Sequence, residues 1–161
     1  MAEFKSIRVE GLEELNQALA ELPVNIAKNV LRGAVNAGAT VIRQEAVARA
    51  PVYAGDDKRV DPGRVKHAIY QKQIRERSNA TTQTFYVGVR QGYGANKVRG
   101  RGGQVSNLDA WYWRFIEFGT AKMAAKPFMR PAFEARKQAA IDAIKRYLEE
   151  RIPKEVEKLK K

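Results

Sequence analysis

Between Pro23 and Pro51 the chain runs through residues 24 to 50 without a helix-breaking proline, and no other feature limits the fold as tightly. Ile26, Val30, Ala34, Ala37, Val41 and Ala48 recur at three- to four-residue steps and form one stripe, as an amphipathic helix requires. The run Ala34, Ala37, Gly38, Ala39 is small-sided, so another backbone can approach closely. That packing compensates for Gly33 and Gly38, each of which costs roughly 1 kcal/mol of helix propensity relative to Ala.

The flanking segments divide by period. Phe4 to Val9 alternates loosely and reads as a short strand, whereas Leu12, Leu15, Leu19 and Leu22 step as a helix over residues 12 to 22. After Pro51, Gly55, Asp56, Asp57, Asp61, Pro62 and Gly63 fill a loop. Val65 to Ser78 begins as a helical turn and continues as a polar strand around Ile69 and Ile74. Residues 84 to 90 form a better strand, and the turn at Asn79 to Gln83 makes the two antiparallel. Residues 91 to 107 hold five glycines with Lys97, Arg99 and Arg101 and no acid, an extended loop expected to order only beside a neighbour. Ser106 and Asp109 match a capping box, which predicts a short helix through Trp111, Tyr112, Trp113, Phe115, Ile116 and Phe118 to Gly119. Apolar all round, that helix needs both a core and a partner. Pro131 opens a last helix with the stripe Phe133, Ala140, Ile141, Ile144, Leu148 and Ile152, and Pro153 is expected to stop it. The result is one α+β domain over residues 1 to 152. Helices at 12–22, 24–50 and 131–152 pack on a small, mainly antiparallel sheet containing residues 84 to 90, and residues 153 to 161 form a charged tail.

Chemistry is bounded mostly by exclusion. With no Cys and one His, His67, the chain has no thiolate nucleophile and no multi-histidine metal site. Gly92, Tyr93, Gly94 begins like a dinucleotide fingerprint but lacks the third glycine and the following helix. Asp56, Asp57 and Asp61 lack the spacing of a calcium loop and read as a solvated turn. No carboxylate lies near His67 in sequence to orient it as a base, so it reads as a surface or strand residue. No catalytic, metal or cofactor site emerges, and no small-molecule substrate is implied. No run approaches the ~18 apolar residues of a membrane span, and the opening residues lack the layout of a signal peptide, so synthesis in the cytosol and no membrane partner are expected.

Charge is the stronger signal. Thirty Lys and Arg against eighteen Asp and Glu give +12. Residues 1 to 22 carry two bases and five acids, and residues 23 to 129 eighteen bases and seven acids. Such a surface suits polyanions or acidic protein faces. Arg99 to Gly103, ArgGlyArgGlyGly, has the composition of segments that hold single-stranded nucleic acid, so a basic nucleic-acid-binding protein stands as the alternative reading to a protein-assembly subunit.

Trp113 to Thr120, TrpArgPheIleGluPheGlyThr, followed by Lys126 to Glu134, LysProPheMetArgProAlaPheGlu, resembles a family of neck and tail-completion proteins of long-tailed bacteriophages. Glu117, Phe118, Gly119 and Thr120 match the first part of that family's pattern; Pro127, Phe128, Arg130, Pro131 and Ala132 match the second, with Met129 at a leucine position. The resemblance implies a structural α+β subunit of the virion neck or upper tail, without enzyme activity or cofactor, assembling as a hexameric ring around the DNA channel. It also implies neighbouring neck, tail-terminator or tail-tube proteins as partners, with non-specific contact to genomic DNA. A ring needs head-to-tail contacts between unlike patches. The aromatic helix with Trp111, Trp113, Phe115 and Phe118 and the loop with Lys97, Arg99 and Arg101 are two such patches. The basic surface is expected to meet acidic groups of neighbouring subunits, such as the Glu-rich first helix, because fixed arginine–phosphate contacts would hinder DNA sliding.

Overall fold

The computed structural model describes residues 12–54, 62–91, 98–99, 105–106 and 110–160. The strand expected at Phe4 to Val9, the Asp56, Asp57 and Asp61 turn, Lys97, Arg101 and Asp109 lie outside them. The fold is α+β. Helices α1 (Leu12–Ala20), α2 (Val24–Arg49) and α3 (Arg64–Ala68) lead into strands β1 (Ile69–Gln73) and β2 (Phe85–Val89). The short pair β3 (Val98–Arg99) and β4 (Val105–Ser106) precedes α4 (Trp113–Phe118) and α5 (Met129–Leu159).

Helices α2 and α5 run antiparallel, and the small residues of α2 are the reason they lie so close. A Cβ at Gly38 would meet the Ile144 side chain and stand 3.0 Å from the Ala140 carbonyl oxygen, and one at Gly33 would fall on the Tyr147 ring. Val30, Ala34, Leu148 and Ile152 form one buried cluster with Leu22, and Leu15 and Leu19 of α1 pack onto it. At the other end Glu45 ties the two helices together, accepting from Arg136 Nε at 2.8 Å and Arg49 Nε at 2.7 Å. The Arg136 guanidinium first, and then Arg49, hold its carboxyl below the usual carboxylate range.

The second cluster joins Ala46, Ala50, Val65, Ala68, Ile69, Val89, Ala110, Phe128 and Ala132. Strands β1 and β2 pair antiparallel, with Ile69 opposite Val89, Gln71 opposite Val87 and Gln73 opposite Phe85 on the face toward α2. Gln71 secures the hairpin to the helix: its amide donates to Asn36 Oδ1 and Thr40 Oγ1, and its oxygen accepts from Arg43 Nε.

Three expectations are corrected. Ser106 does not cap a helix, because its backbone is paired in β4 opposite Val98, and α4 begins only at Trp113. The segment from 91 to 107 is not wholly loop, since it contains the β3–β4 pair. Pro153 does not stop α5, which continues to Leu159. A helix-interior proline costs about 3 kcal/mol, but Pro153 sits on the exposed side, where water can reach the Glu149 carbonyl it leaves without a donor. Beyond it Val156 packs on the buried cluster beside Ile152, and Glu155 bridges Arg151 and Lys158. The packing of half-buried Val156 and the Glu155 ion pairs together offset part of that cost.

Candidate functional site

The two halves of the sequence motif meet at one carboxylate. Glu117, in the last turn of α4, is 6% exposed. Its Oε2 accepts the backbone N–H groups of Phe128 at 2.8 Å and Met129 at 3.0 Å, and its Oε1 that of Arg130 at 3.1 Å. A helix opens with four N–H groups that have no partner inside it. In α5 the first three go to Glu117 and the fourth position is Pro131, which has no N–H. Ala132 N then donates to Phe128 O at 3.1 Å as the first intrahelical bond. The accounting is complete, and the negative carboxylate also faces the positive end of the helix dipole. Glu117, Phe128 and Pro131 are therefore one capping device, with the carboxylate eleven residues before the first N–H that it accepts.

Gly119 makes the return path possible. With φ 75° and ψ 180° it ends α4 in a conformation that side chains oppose, and an added Cβ would stand 2.9 Å from both Met123 O and Ala125 N. Thr120 pairs with Met123 through N···O distances of 2.9 and 3.2 Å, and Lys126 N donates to Ile116 O at 2.8 Å. Between these bonds the chain folds back along α4 and delivers Phe128, fully buried, beneath it.

The aromatic residues divide by side. Tyr112, Trp113 and Ile116 pack on the core around Phe128. Trp111 (61% exposed), Phe115 (46%) and Phe118 (65%) form an open ridge, with Trp111 and Phe115 edge to face at 5.9 Å. Pro127, Arg130 and Thr120 are exposed as well. The loop with Lys97, Arg99 and Arg101 leaves from the same region: Ala110 N donates to Arg90 O at 3.2 Å and Arg114 to Gln91 Oε1 at 2.9 Å, so its two ends are fastened side by side. Of its three cations only Arg99 lies among the described residues, in β3.

Sequence reasoning placed Glu117 in the motif but missed its role as cap. The available signal was Pro131 in a first helical turn with no Ser, Thr, Asp or Asn before it, which leaves the cap to be supplied from elsewhere. His67 is exposed, as a surface residue should be, but it lies on helix α3 and not on a strand, which begins only at Ile69. Among the described residues no three His, Asp or Glu side chains gather as a metal site, and no helix is long and apolar enough to cross a membrane.

No curated protein and no solved structure matches the chain. Residues 13–119 match the family described as "Bacteriophage HK97-gp10, putative tail-component". That stretch runs from α1 to Gly119, taking in the paired helix α2, the hairpin, the aromatic ridge and the capping carboxylate. The chain belongs to this HK97-gp10-like family of bacteriophage tail components and is a structural protein of the phage tail.

Proposed function

We propose that the chain is a head–tail junction or upper-tail subunit, of the tail-completion type, which assembles as a ring around the DNA channel. Its work is structural: it has no substrate and no cofactor, is made in the host cytoplasm and ends in the neck of the virion. The observation that carries this reading is the division of the aromatic segment. One side fills the core, while Trp111, Phe115 and Phe118 hold on the order of 300 Å² of aromatic surface open on and just before α4, the helix whose Glu117 caps α5. A surface of that kind suits a neighbouring subunit or tail protein better than solvent. The basic loop, fastened at its base beside the ridge, supplies the second patch and meets acidic protein, with passing DNA touched only weakly.

The test is sedimentation of the full chain over a concentration series beside its W111S/F118S and R99S/R101S variants, with thermal unfolding of each. Association lost while unfolding is unchanged supports the reading. Unchanged association with a large loss of duplex-DNA binding in R99S/R101S overturns it and favours a nucleic-acid-binding protein, whose affinity would fall steeply with salt.

A further inference from the structure

The β1–β2 hairpin has two unlike faces. Tyr70 stands opposite Gly88 and Lys72 opposite Tyr86, all on the side away from α2. A Cβ on Gly88 would collide with the Tyr86 ring, so the ring lies across the glycine. Tyr70 meets it at 6.0 Å, and the Arg90 guanidinium is 5.5 Å from the Tyr70 centroid. Lys72 and Tyr86 are exposed there, as are Arg75 and Arg77 in the turn beyond β1. Among the described residues no carboxylate pairs with Lys72, Arg75 or Arg77. Glu76 is exposed in the same turn, so Lys72, Arg75, Glu76 and Arg77 together carry three positive charges against one negative, and the surface stays aromatic and net cationic.

Helix α1 has the opposite character. Glu13, Glu14 and Glu21, the last just past its end, are exposed and likewise unpaired among the described residues, and the helix carries no Lys or Arg. The two surfaces lie on different sides of α2. Helix α1 packs on the cluster of Val30 and Ala34, whereas the hairpin meets Asn36, Thr40 and Arg43. At 3.6 residues per turn those two sets point about 130° apart. A head-to-tail contact needs complementary patches separated in this way, and like charge opposes the hairpin-to-hairpin alternative.

We propose that the outer face of the hairpin takes α1 of a second copy of this chain. Lys72, Arg75 and Arg77 face Glu13, Glu14 and Glu21, and Tyr70 and Tyr86 provide the apolar floor. The contact rests on the ring reading above and adds a charged interface to the aromatic one.

The experiment is sedimentation of the full chain at low and high salt, with circular dichroism to verify folding. K72E/R75E/R77E and E13K/E14K/E21K are each expected to associate on the order of tenfold more weakly than the unaltered chain. Combining all six substitutions in one chain, or mixing the two triple variants, should restore association, since every reversed pair is again opposite in sign. Triple variants that associate normally, or a folded six-fold variant that stays dissociated, overturn the contact while leaving the ring reading intact. An unaltered chain that remains monomeric at every concentration overturns both. If K72E/R75E/R77E loses duplex-DNA binding with no change in association, the surface serves a polyanion and the proposal falls.

Discussion

Removing the Glu117 side chain would strand three backbone donors at the start of α5, one of them on the buried Phe128. E117A is expected to lose ~2–4 kcal/mol, because unsatisfied buried N–H groups and a lost charged cap both contribute. E117Q should lose less, since its carbonyl oxygen can still accept at one of the two sites. Urea denaturation of the three proteins checks the order, and an E117A chain as stable as the original would show that water replaces the cap. At Gly119, alanine must adopt φ near 75° and fit a Cβ against backbone at 2.9 Å. A loss of ~3 kcal/mol or more is expected for G119A, measurable in the same unfolding series. The end of the aromatic helix at Gly119 was legible, because glycine leaves a helix through a positive φ without a side chain to oppose it. The cap at Glu117 was not, because a carboxylate eleven residues upstream of a helix can reach it only once the chain has turned back, and the turn depends on contacts such as Lys126 to Ile116.

Elements defined by their own periodicity were legible in the sequence. Helix α2 ends where Pro23 and Ala50–Pro51 place its limits, and the β1–β2 hairpin lies where β-branched and aromatic residues flank a polar turn. Elements defined by tertiary packing were missed. Residues 98–99 and 105–106 are too short to carry a strand pattern, and α5 overrides its proline because Ile152 and Val156 share one apolar cluster. The proline remains a local fault in an otherwise continuous helix. P153A should therefore stabilise the fold by ~1–3 kcal/mol, restoring the donor to Glu149 O and relieving the ring clash. Thermal unfolding would register this as an increase of several degrees for a chain of this length, at about 2–4 °C per kcal/mol.

At the scale of the whole molecule, the paired helices α2 and α5 respond to pH through Glu45. Its carboxyl titrates below its unfolded value because Arg136 and Arg49 favour the charged form. The resulting stability is present above the ordinary carboxylate pKa and is lost as pH falls through the lowered one. Because both arginines are well exposed to solvent, the effect is small. Subtracting the acid limb of E45Q from that of the unaltered chain should isolate it, and coincident limbs would show that the pairs contribute nothing.

The fastening of Arg90 to Ala110 has a further consequence. Everything between those residues is, in architectural terms, a cassette: both ends meet at one hydrogen bond, and Ala110 is fully buried on the near side of the splice. A cassette can be exchanged without rethreading the domain. Replacing residues 92 to 109 with a short Gly/Ser turn should leave unfolding unchanged or shift it upward by about 1 kcal/mol, because closing a shorter loop costs less entropy. A marked loss of stability would show that the inserted segment belongs to the core. With the prediction met, a lineage of such proteins could change what the loop meets while the helices, the hairpin and the Glu117 cap stay as they are, which separates the evolution of recognition from that of folding.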